Sequence, residues 1–360
     1  MMDIYQYGFN IINLVTGILF NAISIYILSC KKNSSEIGIL LITQFTIGML
    51  TLILTSIVGS VTVFYDDHLI IMLAFLKWLP QNSTLHKVIL LVISLMLYTT
   101  IIFPVEILVV RYMALCKSFK ITRIYLFMIT IISFMISLLM VHSIFYVTDG
   151  DIPVYVFRKF IAKFEIKSNL IDEDVILLGS YADLNNWKIS ILDGSIYMSI
   201  YSSSVIFSIY NYLKYMKSVS SKITKATRKL HVEFLRISLF QMCLPFIIFF
   251  TTIIVFLIFL ICGCNSEVSF LGDILSKLLT SIPAINPMLY IFLSKNNRDK
   301  FFSIFKFFRK IKCNRKKINN TIELCPINYN KHFGNRKGSR IVPFARNNLG
   351  NVSAITIARI

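Results

Sequence analysis

Charged residues are scarce in this chain of 360 residues, where they make up 15% of the sequence. Soluble domains average about 25% charged residues. Hydrophobic residues reach 56%, and a soluble globule of this size has too few charges to keep so much apolar surface out of water. The composition therefore argues against a cytosolic enzyme and against a disordered chain, and it indicates a membrane protein.

Acidic residues are also few, with 18 Asp and Glu against 37 Lys and Arg, which gives a net charge of +19. The basic residues lie between and after long apolar runs and not along one face of a soluble domain. This pattern is typical of the positive-inside bias of membrane proteins, and we expect no nucleic-acid partner.

Seven cysteines are present, but they form no disulfide framework and no Cys/His cluster with zinc spacing. The sequence also contains no Gly-rich phosphate loop, no Ser/His/Asp arrangement and no pair of carboxylates that could act together. We therefore predict no enzymatic activity, no metal and no cofactor.

Long apolar runs dominate what is present. A helix needs about 20 apolar residues to cross a membrane. The sequence predicts an all-α integral membrane protein, a bundle of seven transmembrane helices within residues 1–310. Their expected positions are 6–30, 37–64, 88–112, 124–147, 190–213, 237–262 and 268–293. The apolar piece Leu69–Leu76 is too short to span, and a count of six or eight spans stays open because this piece and the last span are ambiguous.

The basic residues predict the orientation. The first, third and fifth connections together with the tail hold 29 of the 37 Lys and Arg residues. Cytoplasmic segments carry this excess, so we expect the N-terminus outside and the C-terminus in the cytoplasm. Residues 311–360 form a basic tail that we predict to be disordered. Asn82, in Asn-Ser-Thr, is the sequon that this topology places outside, and it is a candidate for glycosylation.

An amphipathic helix is expected directly after the last span. Between Ser294 and Arg309, six large apolar residues alternate with Lys and Arg. Such a segment lies along the anionic inner leaflet, so membrane lipid is a predicted partner.

Two short motifs stand at the inner ends of predicted spans. Arg111-Tyr112 ends the third span, and Asn286-Pro287-x-x-Tyr290 ends the seventh. Together, at these positions, they resemble the G-protein-coupled receptors. Pro287 and Pro245 each remove a backbone donor from a span, which allows a helix to bend between two states.

Further patterns narrow the resemblance to nematode serpentine chemoreceptors, of which the Srd and Str groups are the most similar. The resemblance covers about residues 8–310 and rests on three stretches: Gly17-Ile-Leu-Phe-Asn21, the set His231, Leu235, Gln241 and Pro245, and Pro283-x-x-Asn286-Pro287-x-x-x-Ile291-Phe292. It implies a receptor for an external odorant-like or pheromone-like small molecule. It also implies signalling through a heterotrimeric G protein and a plasma-membrane location, with sensory cilia as the implied site.

The sequence departs from mainstream rhodopsin-like receptors at several positions. Val110 precedes Arg111 where those receptors have an acid, and His86 occupies the place of a cysteine near the outer end of the third span. Thr280 stands where opsins carry the retinal lysine, so a photoreceptor is rejected. These departures fit a divergent chemoreceptor better than an amine or peptide receptor.

Charged residues inside the spans supply the candidate sites, since ionisable groups in a membrane usually mark function. In the receptor interpretation, Asp193, Tyr197, Asp273 and Lys277 line a ligand cavity. The alternative of a structural Asp273–Lys277 ion pair, four residues apart on one helix, stays open. The coupling and switch candidates are Glu106, Arg111, Tyr112, Pro245, Asn286, Pro287 and Tyr290. Two interpretations of Glu106 stay open: it reaches Arg111 or a cation of an inner loop, or it is an acid within the helix that neighbouring residues satisfy.

A seven-helix ligand-gated channel or a transporter is the alternative function. Insect-type odorant receptor channels have their tail outside, which the distribution of basic residues argues against. Transporters tend to consist of two related halves, and the sequence shows no such repeat.

Overall fold

The described part of this computed structural model comprises residues 2–30, 36–65, 68–73, 82–116, 121–148, 152, 155–156, 158–159, 177–181, 184–219, 224–262, 271–304 and 306. The predicted basic tail, residues 311–360, lies outside this part.

Seven long helices pack side by side in the described residues, which confirms the predicted bundle. They are α1 (Met2–Ser29), α2 (Glu36–Val58), α3 (Ser83–Cys116), α4 (Arg123–Val147), α5 (Leu184–Ser218), α6 (Lys225–Cys262) and α7 (Leu271–Leu293). Residues 295–304 continue as a further helix, α8, after a break at Ser294. This is where the amphipathic helix was expected.

Six of the seven long helices are apolar enough to cross a membrane by length and composition. The exception is α5, whose 35 residues extend over about 52 Å at 1.5 Å per residue. Serines and Asp193 lower its hydropathy, and the bundle itself accommodates some of them. Ser190 donates to the carbonyl of Ser143 on α4 at 2.9 Å, and Ser208 is fully buried.

A small antiparallel sheet was not predicted. Its strands are β1 (Ser60–Tyr65), β2 (His68–Leu73) and β3 (Leu177–Tyr181), in the order β1-β2-β3. The predicted second span, 37–64, is therefore wrong beyond Val58. Gly59 adopts a φ of 56° and ends α2, and the β-branched and aromatic residues that follow favour a strand. The apolar piece that was too short to span begins within β2.

The sheet lies across one end of the bundle and is buried on both faces. Thr62 of β1 pairs with Ile71 of β2, and Phe64 pairs with Leu69. These residues face the helices. Val63 and Ile70, which point to the opposite face, are both fully buried. The strands therefore form a cap over the helix ends.

The first turn of α7 contacts this cap closely. A Cβ added at Gly272 would lie 2.8 Å from Cε2 of Phe64 and 3.1 Å from the carbonyl oxygen of Thr62. Glycine is thus required where α7 meets β1.

We expect Gly272→Ala to destabilise the protein by about 1–3 kcal/mol, because the added methyl group overlaps Phe64 and the Thr62 backbone. The matched control is Gly194→Ala on α5, where an added Cβ meets nothing within 4 Å. That change should stabilise by about 0.5–1 kcal/mol through helix propensity. Thermal unfolding of the detergent-solubilised protein measures both, and equal melting temperatures for the two variants would contradict this account of the contact.

Candidate functional site

A cavity of about 220 Å³ lies beneath the sheet, between the helices. The sheet supplies its roof through Ser60, Thr62, Phe64, Leu69 and Ile71. The walls come from α3, α4, α6 and α7, and their lining residues are Leu90, Ile93, Ser94, Leu97, Tyr98, Ile144, Thr252, Gly272, Leu275, Ser276, Leu279 and Thr280. The cavity is therefore built by elements distant in sequence.

The cavity lining is apolar with scattered hydroxyl groups, and none of the described residues that line it is charged. Several of these hydroxyls are already engaged within their own helix. Ser94 donates to Leu90, Thr252 to Ile248, and Thr280 to Lys277. Their oxygens retain lone pairs, which can accept a further hydrogen bond.

Three aromatic rings meet below the cavity. Tyr98, Tyr197 and Phe249 pack edge-to-face, with centroid separations of 5.8 to 5.9 Å. The Tyr197 hydroxyl donates to the backbone carbonyl of Tyr98 at 3.2 Å. Of these three residues only Tyr98 lines the cavity. Tyr197, which was predicted to contact the ligand, instead packs against Tyr98 and bonds its backbone.

Asp193 was also expected in the ligand cavity, but it lies at the contact between α4 and α5. Its carboxylate is 2.6 Å from Nδ1 of His142. Asp193 is buried, whereas the His142 side chain is about half exposed. This pair ties two helices together and does not line the cavity.

Asp273 and Lys277 form a buried ion pair on α7, the arrangement that the sequence left open as a structural alternative. Lys277 donates to one carboxylate oxygen of Asp273, and both side chains are almost fully buried. Asp273 neighbours Gly272, which lines the cavity, so the pair lies behind the cavity wall. None of the four predicted ligand residues belongs to the lining.

Arg111 occupies a cluster at the opposite end of the bundle. Its guanidinium carbon lies 3.3 Å from the centroid of the Phe234 ring on α6. It also hydrogen-bonds the hydroxyl of Tyr212 on α5, and that hydroxyl is 2.8 Å from Nδ1 of His231 on α6. One cation thereby holds the ends of α3, α5 and α6 together.

Glu106 does not reach Arg111 and instead bonds a neighbouring helix, which is the alternative that the sequence left open. The Ser133 hydroxyl of α4 donates to one oxygen of the Glu106 carboxylate, and the other oxygen has no partner among the described residues. Glu106 and Arg111 are five residues apart on α3, which corresponds to a rotation of about 140° around the helix axis. Glu106 therefore lies on a different face from the one on which Arg111 meets α5 and α6. Tyr112, the neighbour of Arg111, is buried and packs edge-to-face against Phe207 of α5.

The prolines of α7 leave backbone groups that other helices satisfy. Pro287 has no N–H, so the carbonyl of Pro283 lacks its helical donor. The side chain of Asn21 on α1 supplies a replacement, because its Nδ2 lies 3.1 Å from that carbonyl oxygen. Three residues further along α7, Gln241 of α6 donates to the carbonyl of Asn286 at 2.9 Å; this bond adds to the helical one, because Tyr290 keeps its N–H.

The C-terminal end of α7 is also bonded to other helices. Tyr290 is buried, with its ring 5.3 Å from that of Phe45 on α2, and its carbonyl accepts from Asn297 of α8. From α6, Arg236 donates to the carbonyl of Leu293, and Glu233 accepts from the backbone of Lys295. The junction of α7 and α8 is thus bonded to α6.

Pro245 lies in the middle of α6, where it leaves the carbonyl of Gln241 without a helical donor. The Tyr201 hydroxyl of α5 donates to the next carbonyl, that of Met242, at 2.8 Å. Pro104 also lies within a helix, α3, and it escaped the sequence interpretation.

Asn82 precedes α3 and is exposed. Its side-chain oxygen accepts from the backbone N–H groups of Thr84 and Leu85, at 2.9 and 3.3 Å, which caps the helix. The amide nitrogen, the atom that a glycan would occupy, takes no part in this cap.

The sequence interpretation missed the strand residues that roof the cavity, along with Tyr212 and Phe234 beside Arg111. Alternation of apolar and hydroxyl residues in Ser-Val-Thr-Val-Phe was the available signal for the strand. No local pattern predicts the partners of Arg111, because they come from helices about 100 residues away.

The bundle resembles a solved structure. The crystal structure of squid rhodopsin superposes with a TM-score of 0.52 at 14% sequence identity, over 85% of this chain and 87% of that one. A comparison with curated proteins finds no match. With its six strongly apolar helices, the chain is a multi-pass membrane protein that has the fold of the seven-helix receptors.

The family follows from a second comparison. A family model described as the serpentine type 7TM GPCR chemoreceptor Str matches residues 6–302. The chain belongs to this family, which confirms the resemblance stated from the sequence. The family is one of receptors and not of enzymes.

We expect Asn21→Ala to lower the free energy of unfolding by about 1–3 kcal/mol, because the Pro283 carbonyl would be left buried without a donor. Asn211→Ala is the matched control. Asn211 makes the same kind of bond, to the carbonyl of Phe207 within its own helix at 2.8 Å, and its loss should change stability by less than about 0.5 kcal/mol. Thermal unfolding of the solubilised protein compares them, and an Asn21→Ala variant as stable as Asn211→Ala would show that the α1–α7 bond contributes nothing.

Proposed function

We propose that this protein is a chemosensory receptor that binds a small, neutral external molecule in the cavity beneath the sheet and signals through a heterotrimeric G protein. The observation that carries the proposal is the cavity itself, which residues of β1, β2, α3, α4, α6 and α7 line.

The cavity volume bounds the ligand. An engineered apolar cavity of about 150 Å³ binds benzene, and pockets for drug-sized ligands have volumes of about 300–1,000 Å³. At about 220 Å³, this cavity suits a molecule a little larger than benzene. This size is in keeping with an odorant-like or small pheromone-like compound.

The lining favours a neutral ligand. A charged group would lose its hydration on entering this apolar space, and the described lining residues supply no opposite charge to compensate for that loss. Asp193, Asp273 and Lys277 are already paired with His142 or with each other. We therefore assign these residues and Tyr197 to holding the cavity walls in place.

A ligand acts on the receptor only if it binds one helix arrangement better than another. The cavity touches α3, α6 and α7, and the same three helices carry Arg111, Pro245 and the Asn286-Pro287 bend. A ligand that shifts α6 against α3 would pull Phe234 and His231 away from Arg111. Tyr112, Glu106 and Tyr290 fix the neighbouring helices against which this movement occurs.

We place the sheet and the N-terminus outside the cell and α8 in the cytoplasm, on the basis of the excess of Lys and Arg at the Arg111 end. Glycosylation of the exposed Asn82 would occur at the sheet end. The α8 helix would lie on the anionic inner leaflet, with Phe301 buried against the bundle and Phe302 exposed. A plasma membrane of sensory cilia is the location that the family suggests.

Filling the cavity should abolish the response. Ser94 is 5% exposed and lines the cavity, so Ser94→Phe would occupy ligand space. Val92→Phe, at a 47% exposed position of the same helix, adds a ring on the outer surface and is the matched control. We expect the half-maximal ligand concentration to rise by about tenfold or more for Ser94→Phe only, as more than about 1.4 kcal/mol of binding energy is lost.

The measurement is a G-protein dissociation assay in cells, with a panel of small neutral odorants and with surface expression of each variant recorded. If Ser94→Phe reaches the surface and responds like the wild type, the ligand binds elsewhere and the proposal fails.

Signalling and orientation can be tested with one receptor that carries a tag at each end. In intact cells we expect an antibody to bind the N-terminal tag and not the C-terminal tag, because only the N-terminus is outside. We also expect Arg111→Gln to lose ligand-evoked G-protein dissociation, because the neutral amide cannot hold Phe234 and Tyr212 as the cation does. An external C-terminal tag, or a ligand-evoked current that needs no G protein, would favour the channel alternative instead.

A further inference from the structure

Tyr98 of α3 lines the cavity at the end that lies away from the sheet. On the same helix, Leu90 and Ile93 belong to the core that contains the strand residues, whereas Tyr98 belongs to the core that α3 forms with α5 and α6. Leu90 and Tyr98 both line the cavity and are eight residues apart. The cavity lining therefore extends about 12 Å along α3, and Tyr98 marks its far end.

The Tyr98 ring is held by packing and not by its hydroxyl group. Edge-to-face contacts with Tyr197 and Phe249 position the ring. The hydroxyl makes no hydrogen bond to any residue that the structure describes. A buried tyrosine usually bonds its hydroxyl, as Tyr197 and Tyr201 do in the same core. Packing alone would be met equally well by phenylalanine, so the hydroxyl of Tyr98 needs another explanation.

A place in the cavity lining distinguishes Tyr98 from other buried polar groups without partners. The side chains of Gln44, His86 and Asn286 also lack partners among the described residues, but protein atoms enclose them and they do not line the cavity. The Tyr98 oxygen is not enclosed in this way. Tyr98 is 8% exposed, and the open space that it borders is the cavity. Its hydroxyl is therefore available to a molecule that enters there.

The other hydroxyl groups of the helical walls differ from that of Tyr98. Ser94, Thr252 and Thr280 donate theirs to backbone carbonyls, so they offer a ligand only lone pairs. Ser276 lies near the start of α7, at the sheet end, and is partly exposed. Among the described lining residues, the buried donor that remains free is therefore the Tyr98 hydroxyl.

We propose that Tyr98 determines ligand specificity by donating a hydrogen bond to an acceptor oxygen at one end of the ligand. This inference rests on the proposed function, because it takes the cavity as the ligand site. A carbonyl oxygen is the best match, since it offers two lone pairs and brings no donor of its own that would need a partner in the apolar lining. The favoured ligand is a small neutral carbonyl compound whose hydrocarbon chain extends toward the sheet.

Two probes of equal size test this chemistry. 2-Heptanone carries the acceptor oxygen, and 2-methyl-1-heptene replaces that oxygen by a CH2 group with little change of shape. Binding to the purified full-length receptor is measured from the rise of its melting temperature with probe concentration. For the wild type we expect 2-heptanone to bind about tenfold more tightly than the alkene, which is the value of one good hydrogen bond.

The change Tyr98→Phe keeps the ring and removes the donor. The affinity for 2-heptanone should fall about tenfold, to that of the alkene, while the affinity for the alkene stays unchanged. The melting temperature without probe should not fall, because the lost hydroxyl has no partner among the described residues.

Tyr201→Phe is the matched control. It removes the same atom from a tyrosine that lies outside the cavity lining and whose hydroxyl bonds the carbonyl of Met242. This variant should melt about 2 °C lower, because that carbonyl loses a donor, and it should keep the preference for 2-heptanone.

The inference is overturned if the wild type binds neither probe or binds both equally, or if Tyr98→Phe keeps the preference for 2-heptanone. A lower melting temperature of Tyr98→Phe without probe would also overturn it, since this indicates a structural role for the hydroxyl. Failure of the proposed function gives a different pattern, in which Ser94→Phe responds to odorants like the wild type. If Ser94→Phe abolishes the response but Tyr98→Phe keeps the preference, the cavity remains the ligand site and only the role of Tyr98 is lost.

Discussion

The bond from Asn21 to the carbonyl of Pro283 is the interaction on which the rest of the bundle depends. A membrane offers no water to an unpaired backbone group, so every carbonyl that a proline leaves free must find a donor inside the protein. Pro287 creates that need in the middle of α7, and α1 meets it. The proline within α7 and the packing of α1 against that helix are therefore linked by this one bond.

Side chains of α6 also bond backbone groups of α7 and α8, here at positions that no proline has left free. Gln241 bonds the backbone at Asn286, and Arg236 and Glu233 bond the residues on either side of the break between α7 and α8. These contacts are side chain to backbone, so they can re-form after a small shift without a change of partner type. This gives α6 and α7 a way to move while their backbone groups stay satisfied.

The cavity and the Arg111 cluster are at opposite ends of the same helices. Tyr98 lines the cavity and Arg111 lies thirteen residues further along α3, about 20 Å away at the rise of a helix. Glu106, bonded to Ser133 of α4, fixes α3 between them. In the proposed function, a ligand that displaced α6 at the cavity would change the contact of Phe234 with Arg111, while this bond holds α3 against α4.

The sequence alone determined the membrane class, the seven helices, the family and the prolines of α6 and α7. Each of these depends on composition, local periodicity or a short motif. It also offered Asp273–Lys277 as an ion pair, since a spacing of four residues needs no tertiary information. Only the tertiary structure decided where the cavity lies and which residues line it. The cavity forms where β1, β2, α3 and α7 come together, and these segments are distant in the sequence. The packing of α5 against α4 also places Asp193 beside His142 and not in the cavity.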